Sequence, residues 1–586
     1  MTVPEQKGKI FYMASAGARL PIKLHLSKTK SWWVGLAVCG LAAFAVLLRC
    51  LRLFDSSTNY IYNPDSYFFH WLAQRVTVGE AAPSSISGSN YTLHSGFAYP
   101  AAYIAKALSF AFHLSPADSL ELVWKFLPAA IALISMMILY FAVAKLLGRR
   151  VAVFSVLTWA LFGEAIFIGA AGNLDRDALS VLLLMVGAML FCLSRSWRLN
   201  IGNRDVGWMV SGLSVLLVQV LLYLEWSIVG AAMLLAIILV YSVLKLLLEY
   251  SSLLEKEPNV KQRIATALRK SDLRTFVLVA TVNLAAVGLQ YHQSGAVINT
   301  VVGIVKGRFT GQFIWNKAYT SEEQGLSFQD LIGFQFFLIL MGLGIYLAWK
   351  RRNDVMVFFA GWLASFLIVS LFSYRVIIDA VPAICVVSAA GLASLWGIMG
   401  SRNGRDLWKQ LAILVMVVLL FLIPSVSAAR LNQSSYVMAA DKDWQQALAY
   451  LRENTPQDAV IMSQWSYGYW FLDVAQRRPF VDNGYYSYTI DKLHDVGLAY
   501  YTSNPSEAAA IMAKDGATYL VFGKQDLNIP AAIMEWAGVN GKEDSFPENS
   551  LIVRSLNGDF VSGDGLELVY RNNEVAILAL TQPVQG

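Results

Sequence analysis

The chain has 586 residues, of which 56% are hydrophobic and 15% charged, with a formal net charge of +6 and a mean hydropathy of +0.50. Soluble domains carry roughly 25% charged residues, so an ordinary water-soluble protein is excluded and the length has to be read as membrane spans plus loops. The positive balance calls for no nucleic acid, because the placement of the cations between spans accounts for it.

Residues 1–31 form a basic segment holding Lys7, Lys9, Arg19, Lys23, Lys28 and Lys30. Apolar stretches able to cross a hydrocarbon core of roughly 30 Å as helices then recur up to residue 428. They fall near 32–51, 120–147, 151–169, 178–193, 206–224, 227–248, 276–289, 331–349, 355–372, 376–399 and 411–427. This predicts about eleven spans, or thirteen where a long or short run hides a hairpin. The first span lacks a small-residue cleavage site and is expected to stay as an anchor.

With the N-terminal segment on the cytoplasmic side, alternation brings every other basic cluster to the same face: Arg149 and Arg150, Arg195 to Arg204, Lys256 to Arg274, Lys350 to Arg352, and Arg402 to Lys409. Loops 52–118, 170–177 and 290–330, residues 373–375 and everything from 429 onward then face outward. The cysteines (Cys39, Cys50, Cys192, Cys385) lie in or beside spans, which excludes disulfides and thiolate metal sites from the outer tail.

Residues 429–586 have the length of a domain. Positions 443–454 place Trp444, Leu448 and Leu451 on one helical face, with Pro456 beyond the end. Buried strands are expected at 459–462 and 518–522, and a helix at 505–514. The predicted fold is therefore a multi-span α-helical membrane domain over 32–428 followed by a mixed α/β soluble domain on the side opposite the basic loops.

The outward loops are acidic in a pattern. The first holds Asn63-Pro-Asp-Ser-Tyr-Phe-Phe-His70, with Asp65 soon after a span. The second is the short Gly172-Asn-Leu-Asp175-Arg-Asp177, and the third contains Thr320-Ser-Glu-Glu323. Hard divalent cations such as Mg²⁺ and Mn²⁺ take carboxylate and water oxygens and leave positions for phosphate. Two aspartates at i and i+2 with one acid from each of two other loops can make such a site. Taken singly, each acid reads first as a solvated helix cap. Arg375 stands on the outer face, against the charge rule for loops; it can grip a diphosphate with its planar fork of donors or snorkel to headgroups. In the tail, Ser463-Gln-Trp-Ser-Tyr-Gly-Tyr-Trp470 follows a short apolar strand and reads on composition as an aromatic core corner.

Together, in this order, the segments resemble the catalytic subunit of oligosaccharyltransferases in its single-subunit bacterial and archaeal form. Asp65 within Pro-Asp-Ser-Tyr-Phe is similar to the family's first acidic motif and Asp175-Arg-Asp177 to its second. Thr320-Ser-Glu-Glu323 resembles the T-x-x-E motif, and Arg375-Val-Ile-Ile-Asp-Ala-Val-Pro382 the Arg-led helix start. Trp465-Ser-Tyr-Gly468 stands where the family has WWDYG, with Arg478-Pro-Phe-Val-Asp482-Asn-Gly484 downstream. Each motif alone is weak and the ordered set is specific.

The resemblance implies a GT-C-type architecture and an inverting, metal-dependent enzyme, with Mn²⁺ or Mg²⁺ as cofactor. The reaction it implies moves a preassembled glycan from a polyprenyl-diphosphate-linked oligosaccharide to the asparagine of acceptor segments containing Asn-x-Ser/Thr. Asp65 and Glu323 would hydrogen-bond the acceptor amide and, with Asp175, hold the cation. Asp177 would reach the cation through water or orient its neighbours, and Glu322 can fill the loop-acid role that register gives to Glu323. Arg375 would bind the diphosphate, and Gln464, Trp465, Ser466 and Tyr467 would line the sequon site. Location in the plasma membrane of a prokaryote is implied, with the tail extracytoplasmic.

Two substitutions depart from the family: Gln464 replaces the first Trp of WWDYG, and Ser466, which has no carboxylate, replaces its Asp. The family's further pocket motif has only 526–536 as a candidate. A related polyprenyl-linked glycosyltransferase acting on a hydroxyl or lipid acceptor is the alternative, and a non-catalytic glycan-lipid scaffold the alternative of another class.

Overall fold

The computed structural model describes residues 31–50, 53, 61, 64–80, 98–174, 176–196, 200–201, 204–205, 207–224, 228–254, 259–270, 273, 275–281, 335–351, 353–370, 377–399, 415, 440–482, 487–539 and 545–581. Contacts group the chain into two units, Met1–Gly40 and Leu41–Gly586. The described part of the first is the opening of helix α1 (Ser31–Cys50).

In the second unit, α2 (Pro64–Thr77) and α3 (Ala98–Phe112) precede α4 (Pro116–Leu146), α5 (Arg149–Leu161), α6 (Gly163–Ile168) and α7 (Arg176–Ser196). A two-residue hairpin, β1 (Asn200–Ile201) with β2 (Arg204–Asp205), leads to α8 (Gly207–Leu224), α9 (Ile228–Leu253) and α10 (Val260–Lys270). Then come α11 (Gln335–Arg351), α12 (Asp354–Ser370) and α13 (Ile377–Met399). The described residues of the expected spans are thus helical to within a residue of their ends, apart from the break at Phe162; 282–289 and all of 411–427 but 415 lie outside the described residues. Among the described residues four helical stretches are long and apolar enough to cross a membrane: Pro116–Leu146, Asp177–Ser194, Met233–Leu253 and Ile378–Trp396. The protein is an integral membrane protein.

Local sequence sets several boundaries. Helix α4 starts at Pro116, whose missing N–H costs nothing in the first turn, and Ser115 caps it by accepting from the Asp118 N–H at 3.1 Å. The span expected at 151–169 is two helices, because Phe162 is extended (φ −79°, ψ 127°). The break deprives the Trp159 carbonyl of its normal partner four residues on. Arg49, 1% exposed, takes over: its Nη2 donates to Trp159 O at 3.3 Å and Ala165 O at 2.8 Å, and its Nη1 to Ala45 O at 3.0 Å. Carbonyls near the C-terminal ends of three helices therefore surround this buried cation, the end that favours positive charge.

The C-terminal α/β region comprises α14 (Lys442–Asn454), β3 (Val460–Met462), a 3-10 turn (Trp465–Tyr467), α15 (Gly468–Asp473), β4 (Arg478–Pro479), α16 (Ser487–Tyr501) and α17 (Pro505–Asp515). It continues with β5 (Tyr519–Gly523), a second 3-10 turn (Lys524–Asn528), α18 (Pro530–Trp536), α19 (Leu551–Asn557), β6 (Leu566–Arg571) and β7 (Val575–Leu580). The strands make one five-stranded sheet in the order β4-β3-β5-β7-β6. β3 is parallel to β4 and β5, and β7 is antiparallel to β5 and β6. Central β5 is buried from Leu520 to Gly523, the unalternating apolar run of a strand covered on both faces. Helix α14 buries Trp444, Ala447, Leu448 and Leu451 as one stripe and is capped by Asp441, which accepts from the Trp444 N–H at 2.8 Å.

Candidate active site

Asp65 lies in the first turn of α2 and Asp177 in the first turn of α7, both partly exposed. Each sits at the end of a helix where the dipole favours a carboxylate. Asp175, Glu322, Glu323 and Arg375 fall outside the described residues. Among the described residues no three His, Cys, Asp or Glu side chains are grouped to hold a metal ion.

Two of the acid-bearing elements meet at one residue. The loop entering Asp175-Arg-Asp177 is tied down by backbone bonds, Ala171 N–H to Arg49 O at 2.9 Å and Gly172 N–H to Trp124 O at 3.1 Å. Trp124, on α4, is also the edge-on neighbour of His70 on α2, with ring centroids 4.9 Å apart. The helix starting at Asp65 and the loop before Asp177 thus rest on the same stretch of α4.

Helix α2 packs on α15 through rings: Phe68 stacks on Tyr469 at 4.8 Å, and Tyr67 meets Trp470 edge-on at 6.1 Å. Within this apolar contact His70 Nδ1 stands 2.9 Å from both carboxylate oxygens of Asp473, and both residues are buried. Gln74 Nε2 is 3.3 Å from the same nitrogen. Two short contacts to an acceptor-only group against one long contact to a donor give Nδ1 the proton, donated to Asp473.

Immediately before α15, the Trp465–Tyr467 turn is capped by Gln464. Its amide oxygen accepts from the Ser466 N–H at 2.8 Å and from the Ser466 hydroxyl. The Gln464 N–H donates to the Tyr500 hydroxyl at 2.9 Å, which in turn donates to Val521 O at 2.6 Å. Tyr467, fully buried, donates to Asp526 Oδ1 at 2.7 Å, while the Gly523 N–H donates to Oδ2 at 2.9 Å. Burial pushes the Asp526 carboxyl up to about 7, against the pull of hydrogen bonds from Tyr467, Gly523 and Tyr500; burial and the same carboxyl push the Tyr467 and Tyr500 phenols well up.

Of the four residues expected at the sequon site, Gln464, Ser466 and Tyr467 are buried and bonded within the protein, and Trp465 is partly exposed. Tyr467 and Ser466 hold the turn, and Gln464 is its cap. Neither His70, which closes the first acidic segment, nor Asp473 is among the residues expected at the site from sequence. The available signal was an acid at the C-terminal end of a short apolar helix, where the dipole disfavours it. Asp526 opens the 526–536 stretch, the candidate for the family's further pocket motif, and its carboxylate has no role assigned from sequence.

No protein-family model matches this chain. It is 26% identical over 252 residues to the dolichyl-diphosphooligosaccharide–protein glycosyltransferase subunit STT3B of Oryza sativa subsp. japonica, covering 35% of this chain and 34% of that one. It is 31% identical over 153 residues to dolichyl-phosphooligosaccharide-protein glycotransferase 1 of Pyrococcus furiosus, covering 25% of this chain and 14% of that one. The matches to these curated relatives thus span about a third of their length or less. Among solved structures, the chain superposes on the archaeal oligosaccharyltransferase AglB from Archaeoglobus fulgidus, in complex with an inhibitory peptide and a dolichol-phosphate, with a TM-score of 0.67 at 16% identity. That likeness covers 93% of this chain and 80% of that one. The resemblance to oligosaccharyltransferase catalytic subunits therefore holds in sequence segments and in fold.

Proposed function

We propose that the chain is an oligosaccharyltransferase that moves a preassembled glycan from a polyprenyl diphosphate carrier to the side-chain nitrogen of asparagine in Asn-x-Ser/Thr. The observation that carries the reading is the contact between α2 and α15: the helix that begins with Asp65 lies against the helix that continues the Trp465–Gly468 turn. A transfer enzyme of this kind needs an acid cluster beside an acceptor-recognition surface, and these segments lie 403 positions apart at His70 and Asp473.

In the proposed reaction the anomeric carbon–oxygen bond to the diphosphate breaks as the carbon–nitrogen bond forms from the opposite face. A carboxamide nitrogen is a poor nucleophile because its lone pair is shared with the carbonyl. Asp65 and Glu323 would accept from its N–H groups, reduce that sharing and draw off the proton. Arg375 would hold the departing diphosphate by paired hydrogen bonds. The oxygens of Asp65, Asp175, Asp177 and Glu323 are a hard donor set that fits Mn²⁺ or Mg²⁺. Such an ion, when bound, neutralises charge on the leaving diphosphate. Trp465 would offer its partly exposed ring to the acceptor chain. Residues 1–31 would be cytoplasmic, residues 32–428 the catalytic membrane domain with loops 52–118, 170–177 and 290–330 outside, and residues 429–586 an extracytoplasmic domain of a prokaryotic plasma membrane.

A second reading, transfer to a hydroxyl or lipid acceptor, draws on Ser466, which stands where the family has Asp and whose hydroxyl is turned to Gln464. The test is incubation of purified protein with lipid-linked oligosaccharide, Mn²⁺ and peptides differing by Asn→Gln or Thr→Ala at the acceptor site. Glycopeptide from the Asn-x-Thr peptide alone is the expected result. Glycan on the Asn→Gln peptide, on a hydroxyl, supports the second reading.

A further inference from the structure

We infer that His70 and Asp473 are positioning residues: a buried imidazole–carboxylate pair that keys the register between the Asp65 helix and the Trp465 turn. The inference rests on the oligosaccharyltransferase reading, in which these two segments supply the acid and the acceptor-recognition surface. The geometry is direct. Asp65 opens α2 and His70 follows five residues on in the same rigid helix; Gly468 ends the turn and Asp473 follows five residues on in α15. The pair therefore links the two segments through one short run of helix on each side.

The apolar contact around the pair holds the helices together but selects position weakly. Rings of Tyr67, Phe68, Tyr469 and Trp470 can slide over one another with little change in buried area. A buried carboxylate cannot slide. Among the described residues His70 is the one side chain that answers Asp473, so displacement by a turn leaves a desolvated charge without a donor. The choice of an acid here runs against the apolar surroundings and against the helix dipole at the end of α15. A contact needed only for packing would be met by Leu or Phe. An acid met by an imidazole from a segment far away in sequence suits a contact that must sit in one place.

The experiment uses the full-length protein in lipid nanodiscs, with lipid-linked oligosaccharide, Mn²⁺ and an Asn-x-Thr peptide. The variants are His70→Asn, His70→Gln and the double substitution His70→Leu with Asp473→Leu. Thermal stability, kcat and the acceptor KM are measured for each. Asn places an N–H where Nδ1 of the imidazole lies, whereas Gln places it near Nε2, so the two differ in donor position and little else. His70→Asn is expected to keep kcat near wild type. At a comparable melting midpoint, His70→Gln and the double variant are expected to lose about 10- to 100-fold in kcat, the scale of a misplacement of roughly 1 Å. Equal kcat and KM for the Asn and Gln variants overturn the inference even where the double variant does not fold. So does activity that simply follows the melting midpoint across the series. A wild-type protein with no transfer activity defeats the functional reading and the inference with it, whereas an active wild type indifferent to the Asn/Gln exchange defeats the inference alone.

Discussion

Two buried carboxylates flank the Trp465–Gly468 turn, and the protein holds them by different means. On the side that meets α2, Asp473 faces His70, an ionisable base. On the sheet side, Asp526 faces two phenols and a backbone N–H. Neutral donors offset only part of the desolvation of a carboxylate, and the Asp526 carboxyl accordingly rises to about 7. The turn is thus fixed to its own sheet by a network that tolerates protonation, and to α2 by an imidazole N–H donated to a carboxylate. Attachment within a domain can be made of many weak local bonds, while attachment between distant segments concentrates on one strong and directional contact.

The comparison is sharpest beside a third acid, Asp65, which is partly exposed at a helix start. There a carboxylate adds only about 0.3–1 kcal/mol to stability. Asp65→Ala, and Glu323→Ala with it, should abolish glycan transfer while the melting midpoint stays near wild type. Near-normal turnover of either variant at saturating Mn²⁺ would remove these acids from the site. Breaking the His70–Asp473 pair on one side should act the other way, on the fold. His70→Leu leaves Asp473 buried without its donor and should cost about 3–5 kcal/mol, read as a lower melting midpoint. Restoration of the midpoint by adding Asp473→Leu would confirm that the lone charge causes the loss.

Asp526 makes the complementary prediction about pH. Its folded value is raised, so the native state binds this proton more tightly than the unfolded chain does. The penalty is absent below the unfolded value of 3.8, grows as pH climbs, and is complete above about 7, with a ceiling of about 4 kcal/mol. Wild-type stability should therefore gain less, or fall more, between about pH 4 and 7, the span of the transition, than that of Asp526→Asn, which cannot ionise. Parallel pH profiles for the two proteins would show that Asp526 does not titrate in this window.

These contrasts also mark what the sequence makes legible. Hydropathy places helices at 32–51, 120–147 and 178–193 because a lipid-facing or core-facing span needs apolar side chains along its whole length. The tail yields α14, β3, α17 and β5 to within a residue or two, since the Trp444–Leu448–Leu451 stripe, the proline at the start of α17 and short apolar runs are local signals. Inside what reads as an outer loop, α2 escapes hydropathy because it carries Asp65, His70, Gln74 and Arg75, and α3, although apolar, because its 15 residues are too few for a span. The break at Phe162 escapes as well, since its compensation comes from Arg49, more than a hundred residues away. Motif resemblance draws attention to Trp465, Ser466 and Tyr467 as ligand-facing residues. No local pattern reveals that Tyr467 is spent on Asp526, because that bond depends on the sheet bringing β5 beside the turn.

The smallest expected effect tests how tightly the turn is closed on its two sides. A Cβ on Gly468 would stand 2.5 Å from Val481 O and 2.6 Å from the Asp482 Cα, both backbone atoms of the segment following β4. A Cβ on Gly523 would meet the Tyr467 hydroxyl at 2.5 Å and Trp444 Cζ2 at 2.7 Å, both in side chains. Neither glycine has the left-handed backbone that would penalise alanine by itself, so space alone decides. Overpacking of this kind costs about 1–3 kcal/mol. Gly468→Ala should fall at the upper end, because backbone cannot rotate away, and should displace the turn from the Arg478–Asp482 segment. Gly523→Ala should cost less, because the Tyr467 ring can swing, but the swing draws its hydroxyl off Asp526. The pH dependence assigned to Asp526 should then shift upward in Gly523→Ala and stay put in Gly468→Ala, since loss of a donor raises the carboxyl further. Melting midpoints of the two variants across pH separate these outcomes, and identical profiles would mean that the two faces of the turn yield together rather than independently.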